Sequence, residues 1–300
     1  MTPRDLLLAL LVVAIWGVNF VVIKVGLHDV PPLLLVALRF VLAALPAVFF
    51  VRRPPMPFRY IVGYGLVLGV AHFGLLFWGL QNGVSAGMGS LVLQLQAFFT
   101  ALLGLTLLRE KVLPRQWLGM AIAFAGIAVI ATIRDESVQP LGLAVLVLSA
   151  AMWGAANIIS KRAGQIARFD MLSFVVWTSL IPPLPLLGLS LALEGPERIV
   201  QALTQLTPSA LGAALYIAYL STLLGFGVWT WLLSRYPASS VAPLSLLVPV
   251  FGMSSSALLL GESFGPYKLL GAALVVVGLL VNVFGDRLRP LRLRPAPQGD

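Results

Sequence analysis

Long apolar runs separated by short polar segments dominate the chain. A helix needs about 20 apolar residues to cross the hydrocarbon core of a bilayer, and at that length the pattern predicts ten membrane spans. Breaks rich in proline, glycine or charge separate them, for example at residues 52–55 and at Pro237. The predicted spans are 5–26, 33–51, 59–81, 85–108, 115–133, 140–161, 170–193, 208–234, 239–260 and 265–285. Lipid offers the backbone no hydrogen-bond partner, so we expect helices throughout and an all-α polytopic membrane protein.

A repeated motif divides the chain into two halves. The same four residue types recur at the same spacing near the end of each half, and each set opens an apolar run. The two sets are Glu110, Pro114, Gly119 and Gly126, and Glu262, Pro266, Gly271 and Gly278. An internal repeat in a chain built of membrane spans is typical of secondary transporters.

The beginnings of the two halves also match. Trp16 and Lys24 lie eight residues apart, as Trp153 and Lys161 do. An asparagine lies between them in each case, Asn19 in the first half and Asn157 in the second. The offset between the halves is 137 residues here and 152 at the glutamate motif, which predicts a 15-residue insertion in the polar stretch 194–208. The resulting division is a first five-helix repeat (1–134), a second, inverted five-helix repeat (135–286) and a basic cytoplasmic tail (287–300).

Basic residues predict the orientation of the spans. With a cytoplasmic N-terminus, fifteen lysines and arginines fall in inner segments and four in outer ones, as the positive-inside rule requires. Each half has an odd number of spans, so the second half enters the membrane from the opposite side. Both termini are then cytoplasmic. Two inverted halves can pack against each other in two related arrangements, and interconversion between them opens the centre alternately to each side of the membrane.

Composition excludes several other classes of protein. Of all residues 59% are hydrophobic and 10% are charged, against about 25% charged in soluble domains. The absence of cysteine excludes disulfides and thiolate metal sites, and we expect neither a metal nor a cofactor. The net charge of +9 lies in short loops rather than on a nucleic-acid-binding face. Many spans follow the first apolar run, so it is expected to be a span rather than a cleaved signal peptide.

Polar and aromatic residues within the predicted spans are the candidates for lining a central substrate cavity. They are Trp16, Asn19, His72, Trp78, Gln94, Gln96, Trp153, Asn157, Tyr219 and Thr222. For each, the alternative is a packing role, either a hydrogen bond to a neighbouring helix or contact with lipid. Gln94 and Gln96 are two residues apart and are expected to face different ways.

His72 lies near the middle of the third predicted span. An α-helical period places it on one face with Gly65, Gly69 and Gly79. Its side chain is expected to face the cavity, where it could sense protons, or to bond a backbone carbonyl of a neighbouring span.

Structural roles are expected for the remaining prominent residues. Arg39 is expected to reach the outer interface or to bind helix ends within the bundle, in preference to binding substrate. Glu110 and Glu262 precede Pro114 and Pro266, and we expect them to shape the turns into the fifth and tenth spans. The paired glycines are expected to let neighbouring helices approach closely; they are Gly119, Gly126, Gly271 and Gly278.

Together these features resemble the drug/metabolite transporter superfamily. The resemblance rests on ten spans in two halves, a Trp-Gly early in each half, Leu38-Arg39-Phe40 in the second span and a glutamate entering the last span of each half. The EamA-type exporters are most similar, and among them the YddG-like aromatic amino-acid exporters. The resemblance implies a basket of spans 1–4 and 6–9 around a central cavity, with spans 5 and 10 outside as supports.

The expected function is a secondary transporter of the bacterial inner membrane that exports small metabolites, above all aromatic or apolar amino acids. A broader drug or nucleotide-sugar carrier of the same superfamily is the alternative. An intramembrane lipid-modifying enzyme would need clustered acids and histidines, but the eleven acids lie near span ends or in loops. A receptor or scaffold would not need two interchangeable halves. The expected partners are the substrate and the lipid bilayer, and a monomer suffices although the oligomeric state stays open.

Overall fold

All ten predicted spans are helices in the computed structural model, which describes residues 1–133 and 138–284. The predicted basic tail and Arg134, Asp135 and Glu136 lie outside the described residues. Numbered in chain order, spans 1 to 10 are Pro3–Asp29, Pro32–Phe49, Phe58–Gln81, Ala86–Leu108, Pro114–Ala131, Pro140–Ile166, Met171–Leu193, Pro208–Arg235, Pro243–Leu260 and Pro266–Phe284. Every boundary lies within five residues of the predicted one. The prediction of an all-α polytopic membrane protein is confirmed.

The stretch predicted as an insertion folds as a short helix, Pro196–Thr204, between spans 7 and 8. Just before it, the Glu194 carboxylate accepts hydrogen bonds from the backbone N–H groups of Leu33 (2.7 Å) and Leu34 (3.3 Å) at the start of span 2. Pro31 gives this helix end no side-chain cap. Glu194 therefore satisfies donors that would otherwise lack partners, and its charge complements the helix dipole.

Several spans depart from regular α-helix at matching places in the two halves. Spans 3 and 8 contain the π-helical segments Gly65–His72 and Tyr216–Leu224. Span 4 contains the 3₁₀ segment Leu93–Leu95, and span 9 begins with the 3₁₀ segment Ala242–Leu247. The ends of the paired segments correspond at the offset of 152 residues read from the sequence, for example His72 with Leu224. Irregular segments of this kind are frequent at hinges and functional sites.

Prolines interrupt spans 7 and 9 as predicted. Span 7 consists of two α-helices, Met171–Thr178 and Pro183–Leu193. In span 9, Pro243 lies within the 3₁₀ segment that precedes the regular helix Val248–Leu260. Because proline cannot donate a backbone hydrogen bond, these positions free carbonyl groups inside the bundle.

Spans 4 and 9 end in the same way. Arg109 and Gly261, which follow their last helical residues, both have left-handed backbones, with φ of 56° and 67°. The next residues, Glu110 and Glu262, donate their backbone N–H groups to carbonyl oxygens six residues earlier, at 3.1 and 3.2 Å. The two glutamates therefore follow equivalent helix ends with the same local backbone.

Spans 5 and 10 pack mainly on each other, through the repeated glycines. Gly119 faces Gly278 and Gly126 faces Gly271, so the two helices are antiparallel. A Cβ atom added at Gly126 would lie 2.7 Å from the Gly271 carbonyl oxygen, and one at Gly271 would lie 3.0 Å from the Gly126 carbonyl oxygen. The predicted close approach is confirmed, and the partner is the equivalent span of the other half.

The glycines of the two Trp-Gly pairs make equivalent contacts in the two halves. Gly17 in span 1 lies against Phe251 in span 9, and Gly154 in span 6 lies against Phe99 in span 4. Phe99 and Phe251 are again 152 residues apart. Equivalent spans thus make equivalent contacts, an arrangement compatible with two halves related by a two-fold axis.

Candidate substrate site

Polar side chains of spans 3 and 4 bond span 6 inside the bundle, in two separate groups. We call the two groups together the central polar cluster; its members are His72, Gln96, Thr100, Ser149 and Asn157. Asn157 Nδ2 donates to Gln96 Oε1 (2.8 Å) and to Thr100 Oγ1 (3.0 Å). Thr100 Oγ1 donates in turn to the Gln96 carbonyl oxygen (2.7 Å). This part of the cluster joins span 4 to span 6 by neutral hydrogen bonds.

His72 and Ser149 form the second group of the central polar cluster, with Ser149 eight residues before Asn157 on span 6; His72 has 1% of its surface exposed. Its Nδ1 lies 3.0 Å from the Ser149 carbonyl oxygen, and Ser149 Oγ donates to the His72 carbonyl oxygen at 2.9 Å. Ser149 Oγ also lies 2.8 Å from Nδ1. Because a carbonyl oxygen only accepts, the contact with the Ser149 carbonyl oxygen is a hydrogen bond in the tautomer that carries its proton on Nδ1. The Trp153 ring lies 5.0 Å from the His72 ring. His72 links spans 3 and 6 in this conformation, and its exposure to a cavity stays a prediction.

The helical face predicted for His72 was wrong in part. Gly65 lies against Ile181, and Gly69 against Pro182, both at the break in span 7. His72 instead bonds span 6. The reason is the π-helical segment that contains all three residues. Its hydrogen bonds run from residue i to i+5, so the turn is wider and an α-helical period does not apply.

Arg39 lies between spans 2, 3 and 8 and is 3% exposed, so the expectation that it reaches the outer interface was wrong. Its Nε donates to Thr222 Oγ1 at 3.2 Å. Its guanidinium carbon lies 3.8 Å from the centroid of the Phe73 ring, within the range of a cation–π interaction. Thr222 Oγ1 itself donates to the Ile217 carbonyl oxygen at 2.8 Å, which leaves its lone pairs for Arg39.

Trp16 has a packing role in this conformation. Its Nε1 donates to the Ser221 carbonyl oxygen of span 8 at 2.9 Å. Its ring packs against Phe226 and Trp229, with centroid distances of 5.6 and 5.1 Å. The indole therefore fastens span 1 to span 8 and lies apart from the central polar cluster.

Gln94 and Gln96 face different ways, as predicted, but each bonds another span. Gln94 Nε2 donates to the Ser245 carbonyl oxygen of span 9 at 3.0 Å, whereas Gln96 accepts from span 6. Gln94 and Ser245 belong to the two matched 3₁₀ segments. These segments therefore touch where the two halves meet.

Three further candidates lie outside these contacts. Asn19 is 8% exposed and its buried Oδ1 has no hydrogen-bond partner. Trp78 and Tyr219 are partly buried, and the described residues include no hydrogen bond or ring contact of their side chains.

Two residues of the candidate site, Ser149 and Phe73, were not among those predicted from the sequence. Ser149 could have been noticed because it lies one turn before Trp153 on the same span.

The repeated glutamates bind the opposite half of the molecule rather than the turns that follow them. The Glu262 carboxylate accepts from the backbone N–H groups of Ala86 (2.7 Å) and Gly87 (3.1 Å) at the start of span 4. Glu110 pairs with Lys161, with 2.6 Å between Nζ and Oε1. This differs from the expectation that both carboxylates shape the turns into spans 5 and 10. Local motif geometry could not reveal partners that lie so far away along the chain.

A surface cavity of about 460 Å³ opens beside Glu262. Its lining residues are Lys24, Val25, His28, Asp29, Ser209, Leu260 and Glu262. Lys24 is the sequence equivalent of Lys161. The ion pair of Lys161 with Glu110 has no counterpart between Lys24 and Glu262 among the described residues. The two equivalent acid–lysine pairs are thus arranged differently.

The chemistry of these groups is recognition rather than catalysis. The described ranges contain no group of three or more His, Cys, Asp or Glu residues that could hold a metal ion. The central polar cluster supplies hydroxyl, amide and imidazole groups, which can bind the polar parts of a ligand. Ser149 Oγ lies 2.8 Å from His72 Nδ1 and 2.9 Å from the His72 carbonyl oxygen, but none of the described contacts joins a carboxylate to this pair.

Ten membrane-length helices with polar groups gathered inside the bundle define a polytopic membrane transporter. The chain matches the EamA-like transporter family over residues 4–132 and 140–284, and it belongs to this family. It is therefore a transporter of the bacterial inner membrane and not an enzyme.

Named relatives agree with this assignment, and a solved structure shares the fold. The chain is 46% identical to a "Probable amino-acid metabolite efflux pump" of Salmonella typhimurium, over 96% of this chain and 98% of the relative. It is 44% identical, with the same coverage, to a protein of the same description from Escherichia coli. A solved structure described only as "Crystal structure of protein" has the same fold, with a TM-score of 0.66, 17% identity and coverage of 97% of this chain and 100% of that chain.

Proposed function

We propose that this protein exports amino acids or amino-acid metabolites, above all those with aromatic or apolar side chains, by alternating access. The central polar cluster carries the proposal. Neutral amide and hydroxyl groups around Asn157, one helical turn along span 6 from Trp153, suit a zwitterion with an apolar body. The description of two relatives as probable amino-acid metabolite efflux pumps supports the same class of substrate.

The transport mechanism rests on two inverted halves, residues 1–134 and 135–286. The antiparallel pairing of spans 5 and 10 through equivalent glycines supports it, as do the matching irregular segments. The distribution of basic residues supports cytoplasmic termini. In that orientation Glu262 lies at the outer side and Glu110 at the inner side of the membrane.

The contacts at the two ends of the bundle differ, as expected for one conformation of an alternating-access cycle. At the outer end, spans 4 and 9 pack tightly, because a Cβ atom added at Gly87 would lie 2.6 Å from Ser256 Oγ. Glu262 binds the start of span 4 at this end. At the inner end, Glu110 is held by Lys161 instead. We interpret the contact between spans 4 and 9 as closed at this end, where the surface cavity beside Glu262 also lies, and an exchange of these roles would close the inner end.

Efflux of labelled phenylalanine from reconstituted liposomes tests the proposal. Wild-type protein is expected to accelerate efflux over protein-free liposomes. Asn157→Ala removes the amide that joins Gln96 to Thr100 and is expected to lower the rate at least about tenfold, which corresponds to about 1.4 kcal/mol. Asn282→Ala is the matched control. This asparagine lies in span 10, and its buried Oδ1 has no partner.

The outcomes separate the competing functions. No efflux of any of the twenty amino acids would overturn the substrate class, and transport of nucleotide sugars instead would favour the broader carrier. Equal losses in the Asn157 and Asn282 variants would remove the central polar cluster from transport. A parallel series with an imposed pH gradient distinguishes proton-coupled transport from facilitated diffusion.

A further inference from the structure

Arg39 has an unused hydrogen-bonding edge inside the bundle. Its Nη1 is buried and has no hydrogen-bond partner. The ion pairs of the described residues do not include it. Its only described polar contact is the hydrogen bond from Nε to Thr222. Within residues 1–133 and 138–284, Arg39 is therefore a buried cation without a counter-anion.

An unpaired charge inside a membrane protein is costly, and intramembrane charges commonly mark substrate or ion pathways. A purely structural arginine would be expected to bind carboxylates or several carbonyl oxygens. The contacts of Arg39 instead fix its direction. Phe73 covers one face of the guanidinium group and Thr222 holds Nε, so the Nη edge remains available. A planar guanidinium edge matches a carboxylate, which can accept two parallel hydrogen bonds from it.

A row of rings connects Arg39 to the central polar cluster. The Phe73 ring under Arg39 lies 4.5 Å from the His72 ring, and the His72 ring lies 5.0 Å from the Trp153 ring. A ligand whose carboxylate binds Arg39 can therefore lay an apolar body along these rings. The π-helical segment of span 3 ends at His72, directly before Phe73, and that of span 8 contains Thr222. One neighbour of Arg39, Thr222, thus lies in an irregular segment, and the other, Phe73, directly follows one; such segments are frequent at hinges.

We propose that Arg39 binds the carboxylate of the transported substrate through its unpaired Nη edge. This inference rests on the proposed function and adds to it a required chemical group: a substrate must carry a carboxylate. Arg39 is closed off in the described conformation, and movement of spans 2, 3 and 8 opens it to substrate. No carboxylate lies in the central polar cluster, so neutral oxygens there would bind the ammonium group of an amino acid.

Three labelled probes test the proposal in reconstituted liposomes: phenylalanine, phenylalaninamide, which lacks the carboxylate, and phenylpropionate, which lacks the ammonium group. Wild-type protein is expected to prefer phenylalanine to phenylalaninamide by about 10- to 100-fold, the range for a hydrogen-bonded charge pair. Arg39→Met is expected to abolish this preference and Arg39→Lys to keep part of it. Arg53→Met is the matched control, since Arg53 also stacks on a ring, Phe58, but is exposed.

A second measurement distinguishes substrate binding from a structural role. The ligand-free Arg39→Met protein is expected to melt at or above the wild-type temperature, because the substitution removes an unpaired buried charge. A lower melting temperature together with an unchanged preference for phenylalanine would overturn the proposal. So would a wild-type protein that transports only phenylalaninamide or none of the three probes. Transport of phenylpropionate but not phenylalanine would contradict amino-acid export and still support the role of Arg39.

Discussion

Replacing Glu262 by glutamine should open the outer end of the bundle. The carboxylate accepts two backbone hydrogen bonds at the start of span 4, at 2.7 and 3.1 Å. A hydrogen bond to a charged group contributes about 1.5–3 kcal/mol net, and a negative charge at a helix N-terminus contributes about 0.3–1 kcal/mol. Glutamine keeps one acceptor oxygen and loses the charge. We therefore expect the outward-closed state to lose about 2 kcal/mol, which raises the population open to the outside about 30-fold.

Cysteine labelling measures this shift without background, because the chain contains no cysteine. Ser90 is 1% exposed and faces Gly252 across the contact between spans 4 and 9. A Ser90→Cys protein should react with a membrane-impermeant maleimide added outside only when this contact opens. Adding Glu262→Gln to this protein is expected to raise the labelling rate about 30-fold.

Glu110→Gln in the same Ser90→Cys protein is the matched control. Glu110 is the equivalent residue of the other half, and its ion pair with Lys161 has side chains that are 42% and 48% exposed. Such an exposed pair contributes less than about 1 kcal/mol. Its removal is expected to leave labelling at Ser90 unchanged or lower. A change of less than twofold in the Glu262 variant, or equal increases in both variants, would refute the assigned closing role.

Further predictions concern packing and pH. Gly126→Ala places a Cβ 2.7 Å from the Gly271 carbonyl oxygen and should destabilise the protein by about 1–3 kcal/mol, seen as a lower melting temperature. Gly164→Ala, where nothing lies within 4 Å of an added Cβ, should leave it unchanged. Ser149→Ala removes the hydrogen bond to the His72 carbonyl oxygen and should cost about 1 kcal/mol. Because the buried His72 ring is bonded to span 6, His72→Ala should leave the pH dependence of transport unaltered; loss of that dependence would restore a proton-sensing role.

Features that depend on local sequence could be predicted, whereas contacts between distant residues could not. The start and end of each span follow from apolar length, since the bilayer requires about 20 such residues whatever the neighbours are. The register of the repeat also follows from the chain alone. The glycine spacing even predicted the close packing of spans 5 and 10, although not that they pack on each other.

Polar side chains were predictable as candidates but not in their partners. Glu262 reaches Ala86 across 176 positions of the chain, and Arg39 reaches Thr222 across 183. No spacing rule links residues so distant. The face of His72 was predicted incorrectly because a π-helical segment changes the direction of side chains within a span.

The sequence by itself therefore determined ten spans and the family of transporters, and it predicts their division into two halves. These properties depend on the hydrophobic length of each segment and on residues repeated along the chain. Only the tertiary structure decided which polar groups meet, that Glu110 and Glu262 hold different partners, and that Arg39 keeps an edge without a partner. The physical reason is that the bilayer imposes the same length and helical form on each apolar span, whatever its neighbours are. Contacts between spans depend instead on irregular turns and on close helix packing.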